Sequence, residues 1–366
     1  MTFAEEKTRK RSGLKLYRPL SVLLLAGGFV IHAFPQIGGR HTYTFLSLSN
    51  SARIAAMGGN ALAVMDNDIA LTIANPSLIT PEMHNNLALS YVNYFTGNNY
   101  GFAMYSRTFP KAGSFVGSLQ FIDYGKFTAA DATGTITGTF HASEYALSIG
   151  WGRQLTPHFS IGANAKLILS QMEYYYSFGV AVDVAGTYTT KDRLFTASLM
   201  GRNIGAQIVP YRPGQYESLP FEIQIGLSQK LRHIPLRFSL LYTHLEQWNL
   251  AYTDPDDPAN QKDPYSGEVQ EKSGIAKFAD NLMRHIVLGG ELTIAKVFSI
   301  RLGYNYQRRQ ELKLSDRTGL SGLSYGFGFR IKMFHFSYAH ATYQAGSPNP
   351  NYVTIAVNLQ EFSAKK

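Results

Sequence analysis

The segment Gly322-Leu323-Ser324-Tyr325-Gly326 has the spacing of a nucleophile elbow, in which a serine at a sharp strand-to-helix turn is presented for attack on an acyl carbon. That chemistry needs the turn and the helix. Here the period-two alternation runs on unbroken, with Leu323, Tyr325, Phe327, Phe329 and Ile331 on one face and Gly322, Ser324, Gly326, Gly328 and Arg330 on the other. A glycine-lined strand is the stronger reading. Asp254, Asp256 and Asp257 offer carboxylates for Ca²⁺ but lack the spacing and turn glycine of a calcium loop, so a solvated loop tip is favoured. The ten histidines include no His-Glu-x-x-His and no paired metal spacing. Tyr174, Tyr175 and Tyr176 sit at a strand end, where an interfacial aromatic girdle is a simpler account than a sugar-stacking platform. Lys166, Glu222, Arg237, Glu291, Arg301 and Arg330 fall on the polar faces of alternating segments. They could select solutes in a pore, or pair with one another and with a plug in a closed barrel. Their mixed signs favour the closed arrangement. No catalytic, cofactor or metal site emerges, and the expectation is of a non-enzyme.

The elements that carry these residues follow from the pattern of polarity. The 366 residues are 45% hydrophobic, 13% aromatic and only 16% charged, while mean hydropathy is -0.12. A soluble domain carries about a quarter charged residues. Apolar side chains must therefore be interleaved with polar ones, as in a barrel wall whose lipid-facing and lumen-facing residues alternate. From Phe298 to Gln307, Phe298, Ile300, Leu302, Tyr304 and Tyr306 alternate with Ser299, Arg301, Gly303, Asn305 and Gln307. The same split recurs from Phe159 to Ser170, from Leu236 to Tyr242, from Ile286 to Ile294 and from Val353 to Leu359.

The predicted strands are 87–95, 100–109, 113–123, 144–155, 159–172, 176–190, 194–205, 221–231, 234–247, 284–296, 298–312, 322–332, 334–345 and 351–362. Many exceed the five or six residues usual in soluble sheets, and suit a tilted crossing of about 9–11 residues with rims. Every second connection is short, at 110–113, 156–158, 191–193, 232–233, 297 and 333–334. The intervening ones at 124–143, 206–220, 248–283 and 313–321 are longer, with 96–99 and 173–175 as short exceptions. Short periplasmic turns opposite longer outer loops are the habit of outer-membrane barrels. The fold class expected is all-β, a single transmembrane antiparallel barrel of about 14 strands with a short N-terminal helical plug.

Residues 1–33 carry a basic stretch, an apolar run from Leu20 to Ile31 and a small-residue cleavage site after Ala33, the layout of a secretory signal peptide. Their six basic and two acidic residues account for +4 of the formal +9, leaving about +5, too mild to argue for nucleic acid. The absence of cysteine removes a disulfide framework and a lipidated cysteine. Residues 34–85 form the plug segment, expected at the periplasmic mouth, with a small-residue helix over Ser51–Gly59 and a second short helix opened by Asn75 and Pro76. Residues 86–366 form the barrel.

Several ordered stretches carry a family likeness. They are Tyr43–Leu48, Ala55–Gly59, Asp66–Asp68, Asn75–Ile79, Ile122–Phe127, Asp131–Gly134, Gly138–Phe140, Asn203–Gly205, Leu219–Ser228 and Met283–Gly289. Together, over about residues 41–362, the chain resembles the PorQ family of the type IX secretion system, relatives of the FadL-like barrels. The resemblance implies a non-catalytic fourteen-stranded barrel in the bacterial outer membrane. It also implies a place in a cell-surface attachment complex, holding a PorZ-like surface protein in company with PorV and the sortase-like PorU, where cargo is linked to anionic lipopolysaccharide. The chain departs from the usual barrel ending, because Phe362 is followed by Ser-Ala-Lys-Lys. Three functions compete: a scaffold for surface attachment, a FadL-like transporter of small apolar molecules, and a barrel hydrolase. An apolar lumen pocket would favour the transporter, and a Ser/His or Asp/His constellation at the outer rim the hydrolase. Of the two longest outer connections, 124–143 and 248–283, the first is expected to be ordered and to contribute to docking the partner, and residues 255–273 of the second, rich in Asp, Pro, Lys and Glu, to be flexible and dispensable.

Overall fold

A computed structural model describes residues 41–95, 97–251, 273–312, 319–343 and 348–363. The expected signal peptide, the Asp254–Asp257 cluster and nearly all of the 255–273 segment lie outside the described residues. The chain forms a closed antiparallel barrel of 14 strands in simple meander order. They are β1 (Asn86–Asn93), β2 (Asn99–Phe109), β3 (Gly113–Ala130), β4 (Ile136–Thr156), β5 (Phe159–Met172), β6 (Tyr175–Thr189), β7 (Phe195–Val209), β8 (Glu222–Lys230), β9 (Leu236–Tyr242), β10 (Ile286–Ile294), β11 (Phe298–Asn305), β12 (Leu323–Ile331), β13 (Phe334–Ala341) and β14 (Asn351–Asn358). Each pairs with its chain neighbours, and β1 closes on β14 from Asn86↔Asn358 to Asn93↔Asn351. Closure removes every sheet edge, which a strand in hydrocarbon requires.

The alternation sets the faces as expected. Ile300 and Leu302 are exposed on the outer wall, and Arg301 between them is 1% exposed. Leu89, Leu147, Leu169, Leu199, Leu240 and Ile355 continue the apolar exterior. The short turns follow the predicted parity. The turn between β10 and β11 has Ala295 at φ 52° and Lys296 at φ 59°, the left-handed pair whose twist matches the flanking strands.

Four expectations need correction. The connection 124–143 is not a loop, because β3 and β4 run out past the wall and meet at a tip over 131–135. A bulge between Asp123 and Lys126, with Gly125 at φ +79°, bends this hairpin where it leaves the barrel. Strand 298–312 stops at Asn305 and continues as helix, and strand 234–247 stops at Tyr242. The helix over Tyr306–Leu312 is made of good helix formers, and the Asn305 carboxamide caps it by accepting from the Arg308 N–H at 2.9 Å. The alternation of Tyr304 and Tyr306 fits either conformation.

The plug is the fourth. It does not sit at the periplasmic mouth but runs the length of the lumen. His41 bridges to Ser218 in the outer connection between β7 and β8, and Asn85 leads into β1 at the periplasmic end. Helix α1 (Ala52–Ala56) begins at Ser51, whose hydroxyl accepts from the Ile54 N–H, and ends at Gly58 and Gly59, both near φ +100°. Asn75 caps a short 3₁₀ turn, Pro76–Leu78, with Pro76 in its first turn. Two further helices stand at the outer end, α2 (Gly274–Arg284) and α3 (Tyr306–Leu312).

Candidate functional site: the plugged lumen and the outer rim

The wall is shaped to receive the plug. A side chain at Gly303 would meet the Gly58 nitrogen at 2.0 Å, and one at Gly162 would meet the Pro76 backbone at 2.3 Å. Gly326 lies under the Ala56 methyl group. The elbow-like serine finds its role here. The Ser324 hydroxyl donates to the Ala56 carbonyl at 3.2 Å and accepts from the Gly58 N–H at 3.1 Å. It closes the end of α1, on a strand that runs straight through. Asn75 donates to the Leu62 carbonyl at 2.7 Å and to Thr187 at 3.2 Å, while Ser160 donates to the Ser77 carbonyl at 2.8 Å.

An ion cluster ties the plug to the wall across the lumen. Arg53 of α1 meets Asp66 at 2.5 Å, Asp68 at 3.0 Å and Glu291 of β10 at 2.7 Å. Glu291 also receives Arg301 at 2.7 Å, and Arg237 reaches Asp66 at 3.3 Å. Three guanidinium groups therefore face three carboxylates, and the buried charge is balanced. Nearer the outer end, Lys166 pairs with Asp183 at 2.7 Å and donates to Asn203 at 2.9 Å. Glu222 lies 3.8 Å from Arg202 and 3.7 Å from His244, and His244 also meets Glu246 at 3.0 Å. Burial opposes a charge on His244, but its hydrogen bond to Glu246 and the Glu222 carboxylate outweigh this and raise its pKa.

Of the six charged residues singled out in the sequence, Glu291, Arg301 and Arg237 come together, Lys166 and Glu222 join neighbouring pairs, and Arg330 is exposed at the periplasmic rim. The sequence reading missed the partners on the plug: Arg53, Asp66 and Asp68. A signal was present, since an arginine set between Ala52 and Ile54 in a small-residue helix has no water to turn to inside a barrel and requires a carboxylate.

The cavities are local. One of about 500 Å³ opens at the outer end between the plug and the wall, lined by Tyr43, Tyr124, Glu144, Met172, Tyr175 and Tyr211 among others. The Tyr124 hydroxyl donates to Glu144 at 2.6 Å, and the Tyr211 hydroxyl to Ser170 at 2.5 Å. Burial pushes the Tyr211 hydroxyl up to about 12. A second, of about 50 Å³, lies at the periplasmic end beside Asp66, Glu82 and His158, and a third, of about 10 Å³, lies by Asn50, Lys166 and Arg202.

No protein-family model matches the sequence, and no curated protein sequence matches it. Solved structures do resemble the fold. The Ralstonia pickettii toluene transporter TbuX aligns with a TM-score of 0.51 at 11% identity, over 85% of this chain and 99% of that one. The Pseudomonas putida toluene transporter TodX aligns at 0.46 and 10% identity, over 84% and 96%. A Pseudomonas aeruginosa FadL homologue aligns at 0.45 and 7%, over 84% and 98%. The fold and the lumen define an outer-membrane β-barrel closed by its own N-terminal segment. In the fold that it shares with TbuX, the described residues set fourteen strands around a luminal plug.

Proposed function

We propose that the protein is a non-catalytic barrel that holds a surface partner, a PorZ-like protein in company with PorV and PorU, in a type IX secretion attachment complex. The observation that carries this reading is the hairpin formed by the outer halves of β3 and β4. Strands of 18 and 21 residues rise roughly 45–55 Å at a tilt of about 40°, against an apolar band of about 25 Å. The surplus stands in water, yet it shows Ile136 at 71% exposure and a stacked Phe127–Phe140 pair with centroids 5.2 Å apart. Its tip is ordered by Asp131, whose carboxylate accepts from the Thr133 and Thr135 N–H groups. A rigid blade with apolar side chains suits a protein contact. The ion-paired plug also suits a barrel that holds rather than conducts. Replacing 126–141 with a short Gly/Ser linker should leave the barrel in the outer membrane and release the partner into the medium. Retention of the partner after that exchange overturns the reading.

A second reading is transport of small apolar molecules. It is favoured by the fold shared with TbuX and by the tyrosine- and methionine-walled cavity at the outer end. The comparisons lean to this reading, whereas the polar, ion-paired lumen leans to the first. Proteoliposome uptake of a monoaromatic solute separates them: uptake abolished by Tyr124→Ala or Tyr211→Ala supports transport, and its absence supports the scaffold.

A further inference from the structure

Helix α2 is packed the wrong way round for a water-soluble surface. Its polar side faces the protein. Asp280 accepts from the Tyr306 hydroxyl of α3 at 2.7 Å and from Arg284 at 2.9 Å, and the Asn281 carboxamide accepts from the Leu250 N–H at 2.9 Å while donating to the Trp248 carbonyl. Asn281 and Arg284 are buried. On the opposite side, Phe278, Ala279 and Leu282 lie three, four and seven residues beyond Ile275, a single apolar stripe. Ile275 is 84% exposed and Phe278 57%. Trp248, 48% exposed, lies against Phe278 with centroids 5.3 Å apart.

That stripe is continuous with the lipid-facing wall. Tyr242, the last residue of β9, alternates with Leu240 and Phe238 on the barrel exterior. His285 stacks on Tyr242 at 4.7 Å, Trp248 stacks on His285 at 5.4 Å, and Phe278 follows. The His285 ring is pinned between the Thr243 carbonyl at 2.7 Å and the Trp248 carbonyl at 2.9 Å, so the column of rings is fixed in place. The level of the helix is set by the strands beneath it. β9 and β10 have 7 and 9 residues and rise roughly 18–23 Å at a tilt of about 40°, so they end near the edge of an apolar band of about 25 Å. Since α2 leads into β10 within two residues, it lies at that edge rather than above it.

We infer that α2 and Trp248 form an interfacial anchor, with Ile275, Phe278 and Leu282 seated among the outer-leaflet acyl chains and the axis of the helix in the plane of the membrane. The occupant of the apolar face is lipid. An amphipathic helix with its apolar side sunk at the headgroup boundary, flanked by tryptophan, is the arrangement that interfacial binding selects.

The test uses the full protein in phosphatidylcholine vesicles. The chain has two tryptophans, so Trp151→Phe leaves Trp248 as the single reporter. Lipids brominated near the top of the acyl chain should remove most of the Trp248 emission, while aqueous acrylamide removes little. Ile275→Asp combined with Phe278→Asp should abolish the bromine quenching and shift the emission to the red, with heat-modifiable gel mobility retained. If the doubly substituted barrel does not assemble, the Trp151→Phe protein decides alone. Quenching by acrylamide without bromine quenching places the stripe in water and overturns the inference. Protection from both quenchers also overturns it, because the cover is then protein, a second copy of the chain, as a dependence on protein-to-lipid ratio would reveal.

Discussion

Glu291 stands among three guanidinium groups, at 2.7 Å from Arg53, 2.7 Å from Arg301 and 4.0 Å from Arg237. Removing its charge leaves the three cations to share Asp66 and Asp68, and breaking a buried ion pair costs about 3–5 kcal/mol. Glu291→Gln should therefore loosen the plug, seen as higher planar-bilayer conductance and a lower melting temperature of the folded gel band. Arg301→Leu should do less, because Glu291 keeps Arg53 and Arg237. The neighbouring residue obeys a different rule. Leu302 is 57% exposed on the outer wall, so Leu302→Arg exposes a charge to lipid at a cost of about 2–4 kcal/mol and should cut assembly more than Arg301→Leu. Equal tolerance of the two changes in an assembly assay contradicts the register. His244 supplies a pH dependence. Its raised pKa means that its contribution is complete below the ordinary value of 6.5 and is lost as pH rises through the folded-state value. The outer connection holding His244 and Glu246 should become more protease-sensitive as pH rises above the ordinary histidine value, and His244→Gln should remove that change.

At the scale of elements, the plug and the wall are a matched pair. Gly303 leaves no room for a Cβ against Gly58, and Gly303→Val should expel the α1 segment while the strand itself, favoured by valine, still forms. The expected result is a heat-modifiable barrel with large conductance, and a silent bilayer would show the plug to be held by its ion cluster alone. The strands and their parity were legible because period two is imposed by lipid on one side and the lumen on the other, as at Ile300, Arg301 and Leu302. The plug's path was not. Nothing in Tyr43 or Ser49 announces that they meet Ser177 and the Tyr100 hydroxyl, since these contacts depend on which wall strands close around the segment. The extension of β3 and β4 beyond the membrane was also hidden, because Phe127, Thr128, Thr139 and Phe140 pair in register without any alternation enforced by lipid. Helix α3 was misread for a related reason: at the rim, where lipid no longer selects, local propensity and the Asn305 cap decide.

Across the whole molecule the rim is uneven. β3 to β7 have 14 to 21 residues each, more than the about 9–11 that a tilted crossing needs, whereas β8 to β14 have 7 to 9. The tall blade between β3 and β4 and the α2 segment between β9 and β10 are six strands apart in a ring of fourteen, nearly opposite one another. Any weight hung from the blade pulls off the barrel axis, so it acts as a torque that tips the barrel toward the tall side. A helix gripping the leaflet at the far rim is then the counterweight, with the barrel diameter as its lever arm.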